Sequence, residues 1–315
     1  MGDLSFGRGC SSLGSMGSKL SERLRRWEIP GRLAYSEGNG GLLKLDVRTQ
    51  WSTAEVYLHG GQVTHFQKNG EKPLLFCSQL SRFQSDSAIR GGVPIIFPWF
   101  GAREGQESAH GFARLADWEL HESAAMPEGG VTLRFNMPEI PQSSTWRPFS
   151  LVFVVTITDK LKMDLIVTNC ASDGELSFES CLHTYFTVGD VGSVVVKGLK
   201  NARYLDKLEN YAEKGDSADQ IEVKSEVDRT YLDTTGPVEI VDAALKRRIR
   251  VEKTGSNSTV VWNPWIAKAH QMSDFGDDEY KQMICVESGN VARNRISLAS
   301  ARSSIMGVTL SSEPL

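Results

Sequence analysis

Apolar and polar residues alternate with a period of two along much of this chain, a pattern that admits little besides antiparallel sheet. Leu43, Leu45 and Val47 alternate with Lys44, Asp46 and Arg48. Val131, Leu133 and Phe135 do the same against Thr132, Arg134 and Asn136, and Ile249 and Val251 stand among Arg248, Arg250 and Glu252. Successive strand side chains point to opposite faces, so such a run has one dry face and one wet face. Met163, Leu165 and Val167 follow the pattern with Ile166 intruding. Leu151 to Ile157 is nearly continuously apolar, which predicts a strand buried on both faces. Gly38-Asn39-Gly40-Gly41, Lys68-Asn69-Gly70, Glu128-Gly129-Gly130 and Ser172-Asp173-Gly174 have turn composition and punctuate the runs. After residue 30 no helical period lasts beyond two or three turns. Lys207 to Ala218 fits either a short helix or a polar excursion. The expectation is an all-β fold: a single domain over 31–315, a large antiparallel β-sandwich with very little helix.

Residues 1–30 read as a flexible N-terminal extension. Its first 26 residues are Gly/Ser-rich, with Arg8, Lys19, Arg23, Arg25 and Arg26 against Asp3 and Glu22. That composition faintly resembles an organelle transit peptide. A disordered tail ending in a short helix from Ser18 to Arg26 accounts for it more simply. No apolar run approaches the ~20 residues that span a bilayer, so no membrane partner is expected. The formal charge of −4 and the absence of a dense basic stripe argue against nucleic acid. Cys10, Cys77, Cys170, Cys181 and Cys285 are scattered, with no C-x-x-C pair. Neither a disulfide framework nor a zinc site is suggested, and reduced thiols in the cytoplasm are the plainer reading.

Two titratable residues stand in apolar, strand-like settings: His183 in Cys-Leu-His-Thr-Tyr-Phe and Glu287 in Cys-Val-Glu-Ser-Gly-Asn. A charge in a core costs several kcal/mol unless it is paired, so a strand normally places Leu or Val there. A His and a Glu that converge can move protons as acid and base without metal or cofactor. Read singly, each has a plainer account, His183 as a satisfied polar group and Glu287 as an exposed residue ending a strand before a glycine turn. Arg90 precedes two glycines, which allow close backbone approach to a ligand. Phe97-Pro98-Trp99-Phe100 then offers aromatic faces suited to a sugar. A Pro/Gly-rich crossover with core aromatics fits that segment equally well. If Ala109 to Arg114 is a strand, His110, Phe112 and Arg114 share a face. Asp274-Phe275-Gly276 imitates a kinase motif without its companions. The acidic run Asp274, Asp277, Asp278, Glu279 lacks calcium-loop spacing and reads as a solvated turn.

Taken together, these segments resemble the aldose 1-epimerase (mutarotase) superfamily, and its hexose-6-phosphate branch above all. The resemblance rests on Arg90-Gly91-Gly92-Val93-Pro94, Phe97-Pro98-Trp99-Phe100-Gly101, His110-Gly111-Phe112-Ala113-Arg114, His183-Thr184-Tyr185-Phe186, Val260-Val261-Trp262-Asn263-Pro264-Trp265 and Gln282 to Glu287, in that order. It implies a galactose mutarotase-like sandwich that interconverts the anomers of a hexose 6-phosphate as a monomer, with no cofactor and no metal. It further implies His183 as general acid and Glu287 as general base, with Arg90, His110, Arg114 and Asp228 binding the sugar phosphate. A non-catalytic sugar-phosphate-binding protein and a mutarotase of neutral hexoses are the competing readings. Some relatives carry a polar residue where this chain has Ala109, and Arg103 is a candidate to compensate.

Overall fold

The computed structural model describes residues 24–315 apart from Asp216. The expected extension falls mostly outside the described residues, as do the first six residues of its terminal helix. Within them, Trp27 and Ile29 pack against the core, and the Trp27 carbonyl accepts a hydrogen bond from Ser123 Oγ.

The described residues form 23 strands and a single α-helix of five residues, Trp265–Ala269. Nine antiparallel strands make the largest sheet, centred on Arg247–Thr254, Ser303–Pro314, Leu161–Asn169 and Phe149–Ile157. A second sheet of eight strands runs from Ala212–Gly215 through Val227–Leu232, Ser258–Asn263 and Met283–Asn290 to Ile95–Ile96. A four-stranded meander, Leu33–Glu37 to Gln62–Lys68, adjoins them. One apolar cluster spans all three, joining Leu45 and Phe66, Phe135 and Phe153, and Tyr231 and Val286.

The alternating runs occupy their expected places. Val131, Leu133 and Phe135 are fully buried while Thr132, Arg134 and Asn136 are not. Ile166 is partly buried on the outer face of Leu161–Asn169. The 151–157 run departs from expectation. Its odd-numbered residues and Val152 are buried, but Val154 and Thr156 are only partly covered, so the run is dry on both faces only at its start. Lys207 to Ala218 contains a 3-10 turn at Lys207–Glu209 and a strand at Ala212–Gly215.

Candidate active site

Sheet register builds the floor of the site. Leu182 pairs with Ser288 and Tyr185 with Cys285, so the intervening register sets His183 opposite Glu287. Across the same strand Val260 faces Glu287, Trp262 faces Cys285, and Asp228 faces Trp262 in turn. Directly opposed residues share a face. His183, Glu287 and Val260 therefore form one row, and Tyr185, Cys285, Trp262 and Asp228 the next. A cavity of about 450 Å³ opens over these rows, walled further by Arg90, Phe100, His110, Lys207 and Lys268.

His183 Nε2 lies 3.3 Å from Glu287 Oε1, and the Cys181 thiol donates to Oε2 at 3.4 Å. Only 7% of His183 and 1% of Glu287 is exposed. The imidazole stacks on Tyr185 at 4.8 Å and meets His110 edge-on at 5.6 Å. Burial, with the Arg114 and Arg90 charges behind it, holds His183 well below the usual histidine range. Burial, reinforced by Asp228, pushes Glu287 well above the usual carboxylate range, against the opposing pull of the Cys181 hydrogen bond and Lys207. These opposed shifts favour the neutral form of the pair, one proton shared between carboxyl and imidazole.

Strand geometry explains why Glu287 is buried. The Met283–Asn290 strand continues through Ser288 and Gly289, so no turn follows Glu287. A Cβ at Gly289 would stand 2.7 Å from the Ser180 carbonyl oxygen, so glycine there serves close strand packing. The Ala109–Arg114 stretch is likewise no strand. His110 and Gly111 both take left-handed backbone, and Ala113–Leu115 is a 3-10 turn. Only His110 of that stretch reaches the cavity wall. Gly101 N–H donates to its Nδ1 at 3.3 Å, which leaves the proton on Nε2. Burial and Arg114 keep this ring neutral by lowering its affinity for a second proton.

Both arginines are engaged. Arg90 lines the cavity, but its Nε and Nη2 lie 3.1 and 3.0 Å from Asp274 Oδ2 and its Nη1 donates to the Tyr185 hydroxyl at 3.1 Å. Asp274 thus belongs to the site's support, although the acidic run around it reads as a solvated turn. Arg114 lies off the cavity wall, donating to the Ala109 carbonyl at 2.9 Å. Asp228 is on the wall, paired with Lys207 at 2.8 Å. The two glycines after Arg90 approach neighbouring backbone, not a ligand: a Cβ at Gly91 would stand 2.4 Å from Cys77 Cα, and one at Gly92 2.2 Å from the Val63 carbonyl oxygen. Of the aromatic run only Phe100 faces the cavity, since Phe97 and Trp99 are core residues. Arg103 sits over the Trp99 and Trp146 rings, away from the wall. Lys207 and Lys268 carry no signal in the sequence and are placed by the fold alone.

Ligand atoms of His183, Cys285 and Glu287 lie within 4.8 Å of one another, a potential ligand set for a soft divalent ion. The cationic surroundings set by Arg90 and Arg114 oppose it.

The aldose 1-epimerase family model matches residues 45–303. The chain belongs to the aldose 1-epimerase family. This family member is 38% identical over 253 residues to a Cenchrus ciliaris protein named "Putative glucose-6-phosphate 1-epimerase", covering 76% of this chain and 75% of that one. An Escherichia coli protein of the same name is 37% identical over 243 residues, with 75% and 79% covered. Among solved structures, a Salmonella typhimurium protein described as a "putative mutarotase" superposes with a TM-score of 0.83 at 28% identity, over 94% of this chain and 100% of that one. A galactose mutarotase-like protein from Clostridium acetobutylicum shares the fold at a TM-score of 0.65 and 15% identity, over 90% and 98%. The all-β, mutarotase-like architecture expected from the sequence is thus present, and this epimerase is an isomerase.

Proposed function

We propose that this protein interconverts the α and β anomers of an aldohexose 6-phosphate, glucose 6-phosphate foremost. The observation that carries the reading is the buried His183–Glu287 pair, 3.3 Å apart on the floor of a sugar-sized cavity. The names of the relatives at 37–38% identity support the substrate. In the forward direction Glu287 takes the proton of the C1 hydroxyl while His183 protonates the ring oxygen. The C1–O5 bond breaks, leaving a free aldehyde and a C5 hydroxyl. Rotation about C1–C2 presents the other carbonyl face, and the same transfers in reverse close the ring. Each cycle returns both protons, so no co-reactant is consumed.

The reactive form has Glu287 ionised and His183 protonated, whereas burial favours the neutral pair. A bound phosphosugar shifts that balance. Its hydroxyls solvate the carboxylate, and its dianion offsets the Arg114 and Arg90 charges that hold His183 down. Asp228 and the Nε2–H of His110 are placed to bind sugar hydroxyls from the wall. Arg90 serves as a held donor, and Arg114 acts on the site through its charge.

All of these groups lie on one chain, so the proposed chemistry needs no residue from a second copy. The described thiols Cys77, Cys170, Cys181 and Cys285 are unpaired, which supports a reducing, cytoplasmic setting. No described helix is long and apolar enough to cross a membrane. One core cluster running from Leu33 to Leu310 supports a single domain over 31–315.

The test is polarimetric relaxation of freshly dissolved α-glucose 6-phosphate beside α-glucose. Acceleration favouring the phosphosugar is expected. Acceleration of glucose alone would keep the chemistry and remove the phosphate. No acceleration of either by folded protein would favour a sugar-phosphate-binding role.

A further inference from the structure

The two oxygens of the Glu287 carboxyl have different neighbours. Oε1 faces His183, and Oε2 accepts the Cys181 thiol. Among the described residues no other side chain donates to Oε2. The last torsion of a glutamate is broad and roughly two-fold, so a carboxyl met at one oxygen alone is free to turn. The Cys181 contact removes that freedom.

Register puts the sulfur where it can do so. Cys181 lies in the Ser180–Leu182 strand and pairs with Gly289, while His183, two residues on, comes opposite Glu287. Side chains two apart on a strand share a face, so Cys181 is the diagonal neighbour of Glu287. The place directly opposite Cys181 holds no side chain. A Cβ at Gly289 would stand 2.9 Å from both Cβ and Sγ of Cys181. The glycine therefore leaves the room that the sulfur occupies as it reaches the carboxyl.

The other surroundings of the sulfur are apolar. Cys181 is completely buried with Ile96, Val260 and Val291, and Phe100 packs on this small cluster. Among the described residues the Glu287 carboxyl is the one hydrogen-bond partner of the thiol. Burial and the Glu287 charge push the thiol well above its usual range, so it stays an S–H donor at neutral pH. A thiol is a weak donor. It fixes the direction of the carboxyl while taking little of its basicity, which a general base has to keep. An ammonium in the same place would hold harder and leave a poorer base.

We propose that Cys181 is a positioning residue for the reaction, its S–H holding Oε2 of Glu287 so that Oε1 is presented to His183 and to C1 of the sugar. This rests on the anomer-exchange reading above and is independent of the substituent at C6.

The experiment measures kcat and KM for glucose 6-phosphate and for glucose by NMR exchange spectroscopy, in wild type, Cys181→Ala, Cys181→Val and Cys181→Ser. Alanine and valine both remove the donor, and valine keeps the buried volume filled. Each should lower kcat roughly 5- to 20-fold, by the same factor for every sugar the wild type accelerates, with KM changed less than about twofold. Serine restores a donor and should recover most of the loss. A valine variant as active as wild type, a serine variant no better than alanine, or a loss carried by KM would overturn the positioning role while anomer exchange stands. A wild type that accelerates neither sugar would overturn both. The comparison is made at a temperature where thermal melts show all four proteins folded.

Discussion

A glutamine at position 287 would suit stability better than the glutamate that stands there. The carboxyl is buried, and its pKa is raised in the folded chain. A raised value means the native state gives full benefit below the unfolded carboxylate pKa of ~4.3 and loses it as pH climbs through the folded value. Glu287→Gln should therefore abolish anomer exchange yet unfold at higher urea. Its advantage of about 0.5–2 kcal/mol at neutral pH should widen from pH 5 upward in denaturant titrations. A pH-independent difference would contradict the buried, reluctantly ionised carboxyl. Activity carries a second signature. Only the singly protonated His183–Glu287 pair can work, so kcat/KM with glucose, which has no titration of its own here, should be bell-shaped. Because His183 is held down, the acid limb should lie below the ordinary histidine value of 6.5. An acid limb at or above that value would contradict the burial argument. Both residues were legible in the sequence because each interrupts an apolar run. Asp274, Lys207 and Lys268 were not, since a charged residue in a polar loop looks the same whether it faces solvent or a cavity.

At the scale of the element, the helix Trp265–Ala269 is the part most dependent on one side chain. Asn263 makes three hydrogen bonds, to Trp265, Tyr280 and Met283, and is completely buried. Asn263→Ala leaves two buried carbonyls without partners. It should cost about 1–3 kcal/mol in chemical denaturation. Unchanged stability would show that the helix holds its position without Asn263. The strands themselves were readable wherever one face is wet, as in Val131–Asn136. Sequence reading failed where backbone served a neighbour across the sheet. Gly289 resembles a turn residue and is an in-strand glycine beside Ser180. His110 and Gly111 interrupt what alternation alone makes a strand, because a non-glycine residue in left-handed backbone leaves no mark on hydrophobic pattern.

For the molecule as a whole, Lys253 stitches the two large sheets together. It comes from the Arg247–Thr254 strand of the nine-stranded sheet. Its ammonium donates to the Ser258 carbonyl at 2.9 Å and to Thr259 Oγ1 at 2.7 Å on a strand of the other sheet, and to Thr234 Oγ1 at 3.2 Å. Burial lowers its pKa to about 7. The unfolded chain keeps the proton up to ~10.4, so this group's contribution is present above that value and lost as pH falls toward 7. Wild-type unfolding free energy should carry a term rising by up to ~1.4 kcal/mol per pH unit between pH 7 and 10, which Lys253→Met removes. Identical pH slopes in the two proteins would contradict the buried amine. Nothing in the alternation around Ile249 and Val251 marks Lys253 as inward-facing except its odd-numbered place beside them, and a lysine there reads as an error in the pattern. The sheets were legible where a long strand has one dry face, as in Val131–Asn136 and Leu161–Asn169, and less so in Met283–Asn290, which is buried on both. Which groups meet across or upon them depended on register, which no single run contains.

The measurement that bears most directly on the His183–Glu287 pair is saturation-transfer exchange between the anomers of glucose 6-phosphate, in wild type, His183→Asn, Glu287→Gln and the double variant. Groups that act together on one sugar lose most activity with either substitution, and the second loss adds little. Wild-type acceleration, near-complete loss in each single variant and no further loss in the double is the expected result. Substantial exchange surviving in either folded single variant would contradict the account.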